Sequence, residues 1–365
     1  MLINKILSYC MAFGALLGGF DLVIGNRFGL GKKFEQGFML LGPIALTMAG
    51  IICLTPTLSM ILEFTLVPVF RWLHMDPGIL ASVLAIDMGG FSLASELSED
   101  LRIQHLSGVI LGSTLGCTLV YVIPVALGAI RDTDQPDFTR GILLGLLSLP
   151  VAVLVGGLLC GLTIPEILWN ALPILILCVL LFWGIRKHPQ RMTRIFLGFA
   201  KGIRTIANLG LTLAAFTHIT GIAIIPNMPP LQDAMRTVAG ICIVMLGSVP
   251  LAELLQRIMK VPFEKVRKLT GMNAASTTGL LLSMVSITPS LAMLPQMDSR
   301  GKIVCSAFVV CGAAVIGAHM GFAMDVSPEM VPAMLAAKLA GGIVGAVIAL
   351  VVTRNMYTEK SADAV

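Results

Sequence analysis

Long apolar stretches separated by short polar loops run through the whole chain of 365 residues. A helix of about 20 apolar residues crosses the hydrocarbon core of a bilayer, and nine continuous stretches reach that length. They are residues 2–24, 38–62, 106–130, 141–162, 167–185, 195–223, 237–256, 302–324 and 330–353. The pattern predicts an all-α polytopic membrane protein with about nine transmembrane helices.

Two further apolar stretches are interrupted near their middle. Residues 78–97 contain DMGG at 87–90, and residues 273–296 contain SITPS at 286–290. Each is either a re-entrant or broken helical hairpin or an additional crossing, and two additional crossings would make eleven. Cytoplasmic loops retain Lys and Arg, and the basic residues divide most unevenly when both stretches are hairpins and the amino terminus lies outside. The charge distribution therefore favours two hairpins.

The same order of features occurs twice along the chain. A hydrophobic helix, an interrupted stretch, a short charged loop and a glycine-rich helix follow one another in both places. Pro56 and Pro68 recur at the same spacing as Pro250 and Pro262. With hairpins, the two parts enter the membrane from opposite faces. An inverted repeat of this kind is typical of secondary transporters, whose binding sites lie between the repeats where helices are broken.

Composition fits a single integral membrane transport domain covering residues 1–365, with repeat 1 at about 1–162 and repeat 2 at about 195–353. Hydrophobic residues make up 56% of the chain and charged residues only 12%, which is not the balance of a soluble domain. The net charge of +5 is spread over loops. It bears on orientation in the bilayer and does not indicate a nucleic-acid partner.

Asp87 is a carboxylate inside an apolar stretch. A charge near the bilayer centre is costly, so its presence indicates a cationic partner, supplied by the protein or by a solute. The alternative is that Asp87 caps a half-helix. Gly89 and Gly90 permit a tight reversal of the chain. Because irregular backbone at membrane depth must be buried in protein or face a water-filled cavity, we expect both interruptions to point inward.

Other polar side chains are candidates for the same path. His319 lies within a predicted spanning helix and could bind solute, relay a proton or satisfy a backbone carbonyl. Small polar side chains could line the path or join helices by hydrogen bonds. They are Ser92, Ser113, Thr114, Asn273, Ser286 and Thr288. Ionisable residues near segment ends are expected to reach the membrane surface with their charged tips. They are Asp21, Glu63, Glu96 and Lys338.

No motif of an enzyme competes with transport. The chain has no His-Glu-x-x-His, no Gly-x-Ser-x-Gly and no phosphate-binding glycine loop. Its eight cysteines lie in apolar runs without the spacing of a metal or redox motif. We expect packing roles for them and neither enzymatic activity, a cofactor nor a metal site.

Three stretches of the sequence are distinctive. They are FEQGFMLLGPIALTMAG at 34–50, AIDMGGFSLASEL with SGVILGSTLG and IPVALG within 85–128, and QMDSRGKIVCSAF through GAHMGF within 296–322. These stretches resemble the bacterial ethanolamine permease family of ethanolamine-utilisation operons. The resemblance implies a multi-pass protein of the bacterial inner membrane that admits ethanolamine or a related small amino alcohol. It also implies that Asp87, the aspartate of the DMGG motif, pairs with the substrate ammonium.

The expected partners are a small amine and the lipid bilayer, with no nucleic acid. Movement of the hairpin-bearing unit would carry the substrate across. Passive transport and coupling to a proton or sodium ion both stay open, as does a homo-oligomer. The rival hypothesis is a membrane scaffold that recruits soluble amine-degrading enzymes through its basic loops.

The chain departs from the family pattern at two places. Ala318 precedes His319 where family members carry an aspartate, and Ser286 and Ile287 stand where they carry paired asparagines. Loss of polar groups at both places makes the second interrupted stretch less suited to a strongly hydrated ligand. A bulkier or less charged amine, such as an alkylated amino alcohol, is therefore an alternative substrate.

Overall fold

A computed structural model describes residues 2–84 and 90–354 of the chain. Within these ranges all regular structure is helical. The α-helices are α1 Leu2–Val23, α2 Gly31–Met39, α3 Leu41–Thr65, α4 Val67–Trp72, α5 Ala81–Leu84, α6 Gly90–Leu97, α7 Leu101–Gln104, α8 Ile123–Ala129, α9 Gln135–Leu146, α10 Leu149–Leu159, α11 Ile164–Lys187, α12 Pro189–Thr220, α13 Leu231–Thr270, α14 Ala274–Ser283, α15 Ile287–Met293, α16 Ser299–Gly312, α17 Ala318–Val326 and α18 Val331–Val352. Two π-helical stretches, His105–Gly116 and Thr118–Val122, join α7 to α8 in one long helix.

Seven helical stretches among the described residues are long and apolar enough to cross a membrane. They are Lys5–Val23, Gly31–Thr65, Leu101–Ala129, Gln135–Leu159, Ile164–Lys187, Leu231–Met259 and Pro328–Val352. Each of them coincides with one of the nine predicted crossings. The prediction of an all-α polytopic membrane protein is therefore confirmed, whereas the count of nine and the inverted repeat stay predictions.

The other two predicted crossings differ from expectation. Residues 195–223 lie almost wholly in the continuous helix α12, which is not among the seven. The prediction of one continuous helix at 302–324 is wrong, because α16 ends at Gly312 and α17 begins at Ala318. Ala314, in between, has a left-handed backbone with φ of 51°. The apolar composition conceals this break, since the sequence around Ala314 carries no proline or polar cluster.

The first of two helix bundles, which we call the outer bundle, consists of α1, α2, α3, α12 and α13. Within it α1 packs on α13 and α3 packs on α12. Glycines bring the backbones together: a Cβ on Gly14 would overlap the carbonyl oxygen of Gly247, and a Cβ on Gly50 would overlap that of Ala207. Small residues at such crossings allow the close packing that holds helices together in lipid.

Asp21 fixes the connection between α1 and α2. Its carboxylate accepts backbone N–H groups from Phe28 at 2.8 Å, Leu30 at 2.7 Å and Gly31 at 2.8 Å. Asp21 is 2% exposed. The prediction that this residue reaches the membrane surface is wrong, because the amide groups at the start of α2 satisfy the carboxylate inside the protein.

The second bundle, the inner bundle, consists of α9, α10, α16, α18 and the long helix 101–129. Here α16 packs against both α9 and α18, and α10 packs against α18. Lys338 on α18 is fully buried and donates a hydrogen bond to the backbone carbonyl of Ser113. The prediction that Lys338 reaches the membrane surface is also wrong, since its face of α18 is covered by neighbouring helices.

Each interrupted stretch returns to the place where it starts. In the first hairpin, residues 76–98, Ser98 Oγ donates to Asp76 Oδ2 at 2.7 Å. In the second hairpin, residues 273–298, the Asn273 side chain donates to the Gln296 carbonyl at 2.8 Å. Helices α14 and α15 form the two arms of the second hairpin. The two ends of each stretch therefore lie side by side, as a hairpin requires, and the choice between hairpins and additional crossings stays a prediction.

Candidate functional site

A cavity of about 630 Å³ lies between the outer and inner bundles. On the outer side it is lined by α2, α3 and α13, including Lys33, Gln36 and Gln256. On the inner side it is lined by the tip of the second hairpin, by the break between α16 and α17, and by the long helix near Tyr121. A cavity of this volume at a junction between helix bundles is a typical place for a small-molecule site.

The break between α16 and α17 is held by the second hairpin. The backbone N–H of Ala314 donates to the Ser283 carbonyl at 2.8 Å, and that of Ile316 donates to the Met284 carbonyl at 2.9 Å. These bonds satisfy backbone groups that the broken helix no longer pairs. Irregular backbone of this kind is tolerated in a membrane protein only where it is buried or lines a cavity, and here it does both.

His319 lies at the start of α17 and lines the cavity. The ring is 1% exposed, and its Nδ1 lies 3.0 Å from the carbonyl oxygen of Ala313. A carbonyl only accepts, so Nδ1 carries a hydrogen and donates. This bond spans the break and fixes the orientation of the ring.

Two further predicted residues lie at or beside the cavity. Ser286 directly precedes α15 and lines the cavity, with extended backbone at φ −155° and ψ 141°. Thr288 Oγ1 lies 3.4 Å from the hydroxyl of Tyr121, which itself lines the cavity. The Thr288 and Tyr121 pair connects the second hairpin to the long helix.

The remaining predicted residues lie elsewhere. Thr114 is buried within the long helix, where its hydroxyl donates to the Ile110 carbonyl at 2.8 Å. Asn273 caps α14 at the base of the second hairpin, 2.8 Å from the Ser276 N–H. Gly90 and Ser92 are in the first turn of α6 and do not line the cavity. Asp87 and Gly89 lie outside the described residues.

Residues 3–352 match the family model described as "Ethanolamine utilisation protein, EutH". The chain belongs to this family. It is 39% identical over 328 residues to the "Probable ethanolamine permease EutH" of Listeria monocytogenes, covering 90% of this chain and 88% of the relative. It is 37% identical over 323 residues to the protein YxeR of Bacillus subtilis, covering 88% and 87%. It is 34% identical over 360 residues to the "Probable ethanolamine permease EutH" of Salmonella typhimurium, covering 88% of each.

The family resemblance predicted from the sequence is therefore confirmed. The names of these relatives support a membrane permease role and not an enzyme. No solved structure matches the chain. Among the residues that the structure describes, no group of three or more His, Cys, Asp or Glu side chains is placed to hold a metal ion.

The two places where we expect departures from the family pattern come together in the structure. Ser286, Ile287 and Ala318 all line the cavity, as does His319. Ser286 and Ile287 are at the tip of the second hairpin, and Ala318 and His319 follow about 30 residues later, beyond the break between α16 and α17. Residues at both places therefore line one cavity.

Sequence reasoning missed five polar residues of this lining, namely Lys33, Gln36, Thr47, Tyr121 and Gln256. Tyr121 lies in an apolar run and carries no motif, yet its hydroxyl reaches the second hairpin. Lys33 and Gln256 look like ordinary loop and helix-end residues, yet both line the cavity. Lys33 also lies 3.6 Å from Glu253 on α13. Only the pairing of α2 with α13 brings these side chains to the cavity, and no local signal predicts that pairing.

Proposed function

We propose that this protein is a permease of the bacterial inner membrane for ethanolamine or a related small amino alcohol. The observation that carries the proposal is the cavity between the bundles, which combines broken-helix backbone with Ser286, His319 and Tyr121. Hydroxyl, imidazole and backbone carbonyl groups suit a ligand that has both an alcohol and an ammonium group. Membership of the EutH family supports the same substrate class.

A pathway for such a substrate has a physical purpose. An aliphatic amine with a pKa near about 10 is mostly protonated at neutral pH. The hydrocarbon core of the bilayer resists an ammonium ion, so the charged form needs a protein route. Asp87 is our choice for the counter-charge, on the strength of the sequence alone: it is a carboxylate placed within an apolar stretch beside two glycines.

Substrate selectivity follows from the cavity lining. Ser286, Ile287 and Ala318 give this chain a less polar lining than paired asparagines and an aspartate would. An alkylated amino alcohol loses less hydration on entering such a lining than ethanolamine does. We therefore include N-alkylated amino alcohols in the proposed substrate class.

Uptake of labelled ethanolamine into proteoliposomes tests the proposal. We expect Asp87→Asn to reduce uptake at low substrate concentration by about tenfold or more, which corresponds to losing about 1.4 kcal/mol of interaction. Glu99→Gln is the matched control, because Glu99 is an exposed acid close to the first hairpin in sequence. Unchanged uptake by Asp87→Asn at normal protein levels would refute the assigned role of Asp87.

A binding measurement separates the permease from the scaffold hypothesis. Ligands that bind the folded protein raise its melting temperature as their concentration exceeds the dissociation constant. We expect stabilisation of the purified protein by ethanolamine, propanolamine or an N-methylated analogue. A flat response to all of them, with no uptake in vesicles, would favour the membrane scaffold that recruits amine-degrading enzymes. Uptake with and without an imposed proton gradient distinguishes passive from proton-coupled transport.

A further inference from the structure

A chain of hydrogen bonds connects a surface carboxylate to a buried histidine. Ser327 lies between α17 and α18, and its hydroxyl donates to Glu329 Oε1 at 2.7 Å. The same hydroxyl oxygen lies 2.9 Å from His105 Nε2. The Glu329 side chain is 63% exposed, whereas that of His105 is 8% exposed. The three side chains therefore lead from the protein surface into the inner bundle.

His105 is in direct contact with the first hairpin. Its ring stacks on Phe91 of α6, with centroids 5.9 Å apart and an interplanar angle of 16°. One turn further along, a Cβ on Gly108 would lie 2.5 Å from the Cα of Phe91, so α6 is pressed against the long helix here. A cationic ring is attracted more strongly to the face of a phenyl ring than a neutral one is. The charge on His105 thus acts on the arm of the first hairpin.

Other charged groups on the elements around His105 either have partners of their own or, like Asp325 on α17, are exposed. Arg102 pairs with Asp100 at 2.8 Å and with Glu166 at 3.4 Å. Asp76 accepts a hydrogen bond from Ser98, and Lys338 on α18 donates to the Ser113 carbonyl. Glu96 and Glu99, on α6 and in the loop after it, are exposed. Among the described residues, Glu329 is the carboxylate that forms an ion pair with His105, at 3.5 Å.

We propose that His105, Ser327 and Glu329 form a proton-binding site that couples the first hairpin to the proton concentration at the surface where Glu329 lies. The proposal rests on the proposed permease function and adds the coupling ion to it. The positive-inside distribution predicts that the connection carrying Glu329 faces the outside. The site would therefore respond to external pH.

The proton transfer balances without any further reactant. In the arrangement observed, Ser327 donates to Glu329, so the Nε2–H of His105 donates to the Ser327 oxygen. For inward transfer, the Ser327 hydroxyl instead points its hydrogen at His105 Nε2, and the neutral ring carries its own hydrogen on Nδ1. Glu329 takes a proton from water and passes it to the Ser327 oxygen, and Ser327 gives its own hydrogen to Nε2. The products are a carboxylate, a neutral hydroxyl and an imidazolium, so the three side chains gain one proton.

Uptake measured as a function of external pH tests this site in proteoliposomes containing the full chain. Between about pH 4.5 and 8, a range that includes the titration of a buried histidine, we expect wild-type uptake of ethanolamine to change by about fivefold after subtraction of protein-free vesicles. Glu329→Gln and Ser327→Ala should reduce that change to less than about twofold, since each interrupts the relay to the titrating group. Glu99→Gln is the control and should keep the wild-type profile. Wild-type profiles in both Glu329→Gln and Ser327→Ala would overturn the proposal.

A second measurement does not depend on transport. Nuclear magnetic resonance of protein labelled at its histidine rings follows His105 directly, and the spectrum of His105→Gln assigns the signal. We expect this signal to change between about pH 4.5 and 8, and Glu329→Gln to alter the curve. A signal that is constant over this range, or identical in the two proteins, would overturn the proton site. Absence of any uptake by the wild type would instead refute the proposed function.

Discussion

The hydroxyl of Ser276 donates to Oδ1 of Asp298 at 2.6 Å, and this bond ties the first arm of the second hairpin to the residue that ends it. The backbone N–H of Asn273 donates to the same oxygen at 3.0 Å. Two donors therefore share one carboxylate oxygen, across 22 and 25 residues of chain. The Asp298 carboxylate therefore holds the two ends of the hairpin together, beside the bond from the Asn273 side chain to the Gln296 carbonyl.

Asp298→Ala should lower the free energy of unfolding by about 1 kcal/mol, because it removes the acceptor of the Asn273 N–H and leaves the Ser276 hydroxyl only Asn273 Oδ1, at 2.7 Å, to donate to. Denaturant or thermal unfolding of the purified full chain measures the change. Asp132→Ala is the matched control, since Asp132 is an exposed loop aspartate. Equal stability of the Asp298 and Asp132 variants would contradict the assignment.

Two substitutions of His319 separate its structural role from a role in binding. Asn places its amide N–H near the position of Nδ1, so His319→Asn should keep the bond to the Ala313 carbonyl and a melting temperature close to that of the wild type. Gln places its amide near Nε2, so His319→Gln should lose that bond and about 1 kcal/mol of stability. If His319 contacts substrate, His319→Asn also lowers uptake. A stable His319→Asn protein with wild-type uptake would leave His319 a purely structural residue.

Ala318→Asp tests how the cavity lining selects its substrate. A carboxylate at residue 318 adds a negative charge beside His319, within the lining of the cavity. We expect the variant to bind ethanolamine about tenfold more tightly relative to an N-alkylated analogue, an effect of about 1.4 kcal/mol. Competition uptake with the two amines measures the ratio. Ala318→Asn, which is polar but uncharged, is the control, and an unchanged ratio in both variants would count against this cavity as the binding site.

The ion pairs of Asp134 predict a loss of stability in acid. Lys302 Nζ lies 2.7 Å from its Oδ1, and Arg131 Nε lies 3.0 Å from its Oδ2. Burial alone would raise the pKa of Asp134, but the bonds from Lys302 and Arg131 outweigh it, and the pKa is lowered. Because the carboxylate is favoured in the folded state, its contribution is complete above about pH 4. The contribution is lost as the pH falls through the lowered pKa.

Asp134→Asn should therefore be less stable than the wild type at pH 7 by about 3 kcal/mol, because it leaves Lys302 without its charged partner. The difference should shrink as the pH falls from about 4, where the carboxylate of the unfolded chain becomes protonated, toward the lowered pKa of the folded state. Melting temperatures measured from neutral to acid pH give both values. Asp132→Asn serves as the control. A difference that is the same at every pH would contradict the ion-pair assignment.

The sequence predicts the membrane fold well because its signal is long and repeated. Stretches such as 141–162 and 330–353 consist almost entirely of apolar residues and are long enough to cross the bilayer as helices. The two hairpins are also visible, since DMGG and SITPS interrupt apolar runs. What the sequence conceals is the break after Gly312. Residues 313–317 are as apolar as those of the flanking helices, and the hydrogen bonds to the second hairpin that satisfy their backbone leave no local signal.

The candidate site is predicted only in part. His319 and Ser286 are polar residues in apolar surroundings, and both line the cavity. Thr114 and Asn273 share that signature, yet their side chains form hydrogen bonds with backbone groups of the protein. Composition cannot separate the two cases, because a hydroxyl or amide that caps a helix looks the same in sequence as one that faces a ligand. The buried position of Lys338 is unpredictable for a similar reason: it depends on which face of α18 the neighbouring helices cover.

The hydrogen bonds from Ala314 and Ile316 to the tip of the second hairpin have a consequence for transport. These bonds join Ser286 and His319 into one rigid unit. If the inner bundle and the second hairpin move relative to the outer bundle, the two residues move together. They then keep the same contacts with a bound substrate throughout the movement. Release of the substrate would then require a change on the outer-bundle side of the cavity, where Lys33 and Gln256 lie.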